Sequence, residues 1–113
     1  MTTLSQENCV RPIMGGSPLN NAEAADLKLQ VPEWEIFEVD GIQRMEHAYK
    51  FDDFVQALDF TNRVGELAEE QDHHPALLTE WGNVTVTWWT HAVKGLHRND
   101  FIAAAKTDVL YRG

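Results

Sequence analysis

Two dipeptides constrain the fold of this chain more than any other feature: Asp40-Gly41 and Gly82-Asn83, each set between two runs of strand-forming residues. A two-residue type I′ turn needs positive φ at both central positions, which Asp, Asn and Gly tolerate and most residues resist. The first pair predicts a hairpin of strands 34–39 and 42–51, the second a hairpin of strands 77–81 and 84–90. Met45, His47, Tyr49 and Phe51 then share one face of their strand. Val84, Val86 and Trp88 alternate with Thr85, Thr87 and Trp89. Without a bulge, that alternation carries His91 onto the threonine face.

Helical periodicity fills the chain around the hairpins. Asn20 or Asn21 caps a short helix with Ala22, Ala24, Ala25, Leu27 and Leu29 as its apolar positions, and Pro32 ends it. Over 52–72, Phe54, Ala57, Leu58, Phe60, Val64, Leu67 and Ala68 recur at helical spacing. Pro75 excludes His74 from the helical region, so this helix stops at the histidine pair. Asn99 caps a last helix over 100–111. The order α-β-β-α-β-β-α predicts an α+β fold, a four-stranded antiparallel sheet with helices packed on one face. Residues 1–16, with Pro12, Gly15-Gly16 and no apolar periodicity, read as a flexible N-terminal arm, and 17–113 as a single domain. The apolar side of the 52–72 helix covers about half the wheel, wider than the ~100° stripe that packing on one sheet needs. Part of it is therefore expected to meet a second copy, in a homodimer or homotetramer, against the competing reading that one subunit buries it all.

Composition narrows the function. Nine Lys and Arg face eighteen Asp and Glu, a formal charge of −9. That balance opposes nucleic acid, whose binding rewards clustered cations, and it weakens attraction to anionic lipid. No apolar run approaches the ~20 residues of a membrane span, and no secretory pattern opens the chain, so a cytoplasmic location is expected. The lone Cys9 builds no internal disulfide.

The chemistry-bearing residues fall in one stretch: Glu69, then His73-His74-Pro75, Trp81 after five intervening residues, His91 after nine more and Asp100 after eight more. They come from a helix end, a strand end and a helix start. At a helix C-terminus the unpaired carbonyls favour protonated imidazole at His73 and His74, which makes an acid available near neutral pH. His91 is the natural second proton carrier. Asp100 suits an orienter, fixing a histidine tautomer or accepting from a ligand's N–H groups, and Glu69 can do either job. Taken singly, each histidine is more often a surface or satisfied polar residue, and His47 and His97 are left in that class. Zinc is the sharper rival, but adjacent histidines point differently, and neither His-x-x-x-His nor paired cysteines occurs. Trp81, Trp88 and Trp89 read as core and sheet aromatics. Trp34 reads either as core or as a flank for a planar ligand.

This spacing resembles the signature of the pterin-4a-carbinolamine dehydratases (4a-hydroxytetrahydrobiopterin dehydratases) of the bacterial type, and the likeness runs from about Pro32 to Tyr111. The resemblance implies a hydro-lyase that removes water from 4a-hydroxytetrahydropterin to give quinonoid dihydropterin, with no cofactor and no metal. It implies His73, His74, His91 and Asp100 as catalytic residues, with Glu69, Trp34 and Thr90 at the substrate. The longer first hairpin separates this chain from the animal members, which weakens the transfer at Trp34. The implied role is recycling the pterin of an aromatic amino acid hydroxylase, phenylalanine hydroxylase in bacterial relatives. Alternatives are a dimerisation cofactor of a transcription regulator, as in animal relatives, or a pterin-binding module without activity.

Overall fold

The structure, a computed structural model, describes residues 3–113. Helix α1 spans Asn21–Lys28, strands β1 and β2 span Glu35–Val39 and Ile42–Lys50, and α2 spans Phe54–Gln71. Strands β3 and β4 span Ala76–Glu80 and Asn83–Trp88, and α3 spans Arg98–Arg112. The four strands form one antiparallel sheet in the order β1-β2-β4-β3. Its covered face carries Met45, Tyr49, Val84, Val86 and Trp88, all buried. Over that face α2 sets Ala57, Phe60, Val64 and Ala68, and α3 sets Phe101, Ile102 and Ala105. The α+β arrangement with helices on one face is the one the sequence predicts.

Each helix start has a local chemical cause. Asn20 accepts from the Glu23 N–H at 2.8 Å while Glu23 accepts from the Asn20 N–H, a reciprocal box that opens α1. Asp53 accepts from the Gln56 N–H at 2.8 Å and opens α2, a cap worth about 1 kcal/mol. The other end of α2 closes earlier than Pro75 requires. Asp72 takes the left-handed conformation at φ 50° and the His73 N–H reaches back to the Ala68 carbonyl, a Schellman-type closure.

The first hairpin turns where predicted, with Asp40 at φ 53° and Gly41 at φ 80°. The second turns one residue early. Glu80 pairs with Asn83, so Trp81-Gly82 forms the corner. There only Gly82 has positive φ, at 73°, which one glycine satisfies without help from Asn83. Trp81 is consequently 74% exposed rather than a core aromatic.

One further expectation needs correction. Strand β4 ends at Trp88, and His91 opens a 3₁₀ turn over His91–Val93, so strand alternation does not fix its direction. Of the arm expected over residues 1–16, residues 1–2 lie outside the described residues, and 3–16 lie against α3: Leu4 is buried, and the Lys106 ammonium donates to the Ser5 carbonyl at 3.0 Å.

Candidate active site

The turn at Asp72 points the two adjacent histidines in different directions. His73 enters the protein, its ring stacked on Trp88 with centroids 5.3 Å apart and planes 20° apart. Its Nε2 lies 2.6 Å from Asp100 Oδ1. His74 stays on the surface, where Nε2 pairs with Glu69, one turn back on α2. The side chain of His73 keeps 11% of its exposure and that of Asp100 none.

Asp100 is the hub. Its other oxygen accepts from the Thr90 hydroxyl at 2.8 Å and from the His97 N–H at 2.9 Å. A buried carboxylate needs such partners, because taking a charge out of water is costly unless hydrogen bonds replace hydration. With Oδ2 taken by Thr90 and His97, Asp100 Oδ1 is placed to accept from His73 Nε2. Nδ1 makes no hydrogen bond to a described residue. Three elements thus meet at Asp100: the C-terminus of α2 through His73, the segment after β4 through Thr90, and the N-terminus of α3.

His91 follows Thr90 directly, so its Cα is about 3.8 Å from that of the Asp100 partner. It is exposed and packs edge-on against Trp89, with centroids 5.3 Å apart. Among the described residues it has no hydrogen-bond partner through its side chain. The segment that carries it closes on itself, the Thr90 N–H donating to the Gly95 carbonyl at 2.9 Å.

Trp34 lies elsewhere. It is fully buried, and its indole N–H donates to Asp108 at 3.1 Å, with the Tyr49 hydroxyl donating to the same oxygen. Burial first, then the Asp108 bond, push the Tyr49 hydroxyl well above the ordinary phenol range. Asp108 is eight residues beyond Asp100 on α3, about 12 Å along the axis. The packing reading of Trp34 is the one this position supports, not the ligand flank.

His97, set aside as bland, is the cap of α3. Its Nδ1 accepts from the Asn99 N–H at 2.9 Å while Asp100 accepts from the His97 N–H. Asn99, expected to be the cap, is instead inside the helix. The signal was present in the three-residue spacing from His97 to Asp100, which is that of a capping box. Burial, working against the charge of Asp100, holds the His97 imidazole below the ordinary histidine range. Among the described residues no three His, Cys, Asp or Glu side chains are grouped to hold a metal ion, and no helix is long and apolar enough to cross a membrane.

Comparison with known proteins decides the family, because the one described as "Pterin 4 alpha carbinolamine dehydratase" matches residues 17–110. The chain belongs to this family. It is 54% identical over 112 residues to a protein of Microcystis aeruginosa called "Putative pterin-4-alpha-carbinolamine dehydratase", across 99% of this chain and 97% of that one. A protein of the same description from Syntrophotalea carbinolica is 54% identical over 111 residues, across 97% and 98% of the two chains. Among solved structures, the "transcriptional coactivator/pterin dehydratase" of Brucella melitensis superposes with a TM-score of 0.75 at 28% identity. That match covers 84% of this chain and 99% of the Brucella chain. The family's named reaction is a dehydration, the work of a hydro-lyase.

Proposed function

We propose that this family member dehydrates 4a-hydroxytetrahydropterin by histidine general acid and base catalysis, and so regenerates the pterin of an aromatic amino acid hydroxylase. In the reaction the C4a–O bond breaks, N5 loses its proton, and a C4a=N5 double bond forms as water leaves. One group must protonate the departing hydroxyl and another must accept the N5 proton. His73, with Nε2–H committed to Asp100, presents Nδ1 as the base. His91, exposed on the neighbouring turn, is the acid. His74 and Glu69 bind the pterin at the rim, and Thr90 acts through Asp100. The observation that carries this reading is the 2.6 Å contact between His73 and the fully buried Asp100.

The test follows the ultraviolet absorbance of 4a-hydroxytetrahydropterin with and without protein. Dehydration in water sets the background. Wild type is expected to exceed it clearly, while His73→Ala and His91→Ala each lower kcat by about 10²-fold. Undiminished turnover in both variants would remove the assignment.

A homo-oligomer through α2 is part of the same proposal. Ala57, Phe60, Val64 and Ala68 are buried within the subunit, while Phe54, Val55 and Leu58 remain exposed on the first turns of α2. Clustered apolar side chains of this kind favour helix-to-helix association with a second copy.

A further inference from the structure

Residues 3–16 lie outside the stretch matched by the family, residues 17–110, yet the two relatives at 54% identity align over nearly the whole chain, including most of these residues. From Cys9 to Gly15 their hydrogen bonds reach the elements that carry the site. The Cys9 N–H donates to Gln71 Oε1 at 2.8 Å, and Gln71 is the last residue of α2, two before His73. Val10 forms a two-way pair with the Asn99 amide, its N–H donating to Oδ1 at 3.0 Å and its carbonyl accepting from Nδ2 at 2.6 Å. Asn99 is 2% exposed and immediately precedes Asp100. Further on, the Gly15 N–H donates to the Ala92 carbonyl at 2.8 Å, next to His91.

We infer that residues 9–15 form a strap that sets the mutual position of His73, Asp100 and His91, and that Gln71 and Asn99 are positioning residues through which it acts. The inference rests on the proposed roles of those three side chains. The strap bonds to each of the three site-bearing elements within two residues of its functional side chain. Helix ends and irregular turns are the parts of a fold most free to shift, because few backbone hydrogen bonds hold them. The strap supplies bonds at those points. The Arg98 to Glu7 ion pair nearby, at 2.7 and 2.8 Å, is partly exposed and contributes little by comparison. The amide of Asn99, 2% exposed and paired on both sides, does more, since removing it breaks both of its hydrogen bonds to Val10 at once.

Full-length Gln71→Ala, Asn99→Ala and Gln71→Glu test this, the last keeping an acceptor for the Cys9 N–H. Two quantities are read: the nitrogen NMR signals of the His73 ring, and kcat with KM for the carbinolamine. In Gln71→Ala and Asn99→Ala the ring signals are expected to move toward a mixture of tautomers, and kcat to fall by about 10-fold or more. KM should stay within about twofold, since positioning for the chemical step is what is lost. Gln71→Glu should stay close to wild type in both. Unmoved ring signals in folded Gln71→Ala would overturn the strap, whether or not kcat changes. Should Asn99→Ala fail to fold, Gln71→Ala decides alone. If His73→Ala proved fully active, the proposed mechanism would fall, while shifted ring signals in Gln71→Ala would still uphold the strap.

Discussion

His97 caps α3 with an imidazole nitrogen, and this ties the start of the helix to pH. Nδ1 accepts the Asn99 N–H only while it is unprotonated. Because burial lowers the folded-state affinity of His97 for a proton, the unfolded chain binds more protons in this window, and stability rises with pH. The contribution is fully present above about 6.5, the unperturbed histidine value, and is lost as pH falls below it. His97→Asn keeps an N-cap acceptor that does not titrate. Its thermal midpoint should therefore gain on wild type as pH drops from about 7 to about 5. A gap between the two midpoints that stays constant over that interval would contradict the cap's role. At this scale the sequence named His73, His74, His91 and Asp100 but not who touches whom. Asn99 ranks above histidine as a cap in isolation, yet Asp100 reaches back to the residue three before it, and that reciprocity selects His97. Trp34 illustrates the converse. Its hydrogen-bond partner Asp108 is 74 residues away, so nothing local indicates that its indole is already occupied.

At the scale of elements, the hairpins and helices followed from turn chemistry and periodicity, whereas their ends did not. The period of two in Val84 to Trp89 continues in the sequence after the strand has stopped, because alternation carries no mark for where pairing with β2 ends. What closes the following turn is the Thr90 to Gly95 pair, and Gly95 is packed tightly. A Cβ added there would stand 2.8 Å from Pro18 Cβ, a contact that a proline ring cannot easily relieve. Gly95→Ala is therefore expected to cost about 1–3 kcal/mol in urea unfolding. It should also lower kcat, since the displaced turn carries both Thr90 and His91. Wild-type stability and turnover in Gly95→Ala would show that the turn yields without disturbing the site. The strap was illegible for a related reason: beyond the short turns at Leu4–Gln6 and Ile13–Gly16, the bonds of residues 3–16 go to α3 and to the ends of other elements, which leaves no periodicity in the sequence.

On the scale of the whole molecule, the exposed Phe54, Val55 and Leu58 are expected to make the protein a homo-oligomer. In sedimentation velocity wild type should run as a dimer or tetramer and Leu58→Glu as a smaller species, because a buried unpaired charge opposes association. Identical sedimentation of the two would place the interface elsewhere. The acidic balance, nine basic against eighteen acidic residues, was readable at once. The account depends most on His73 and Asp100 working as one unit across α2 and α3, and a double-mutant cycle on kcat measures that directly. With His73→Ala and Asp100→Asn combined, the loss should be no greater than that of His73→Ala alone, as for residues that act together. If the two losses instead multiply, Asp100 does not act through His73, and the central claim is wrong.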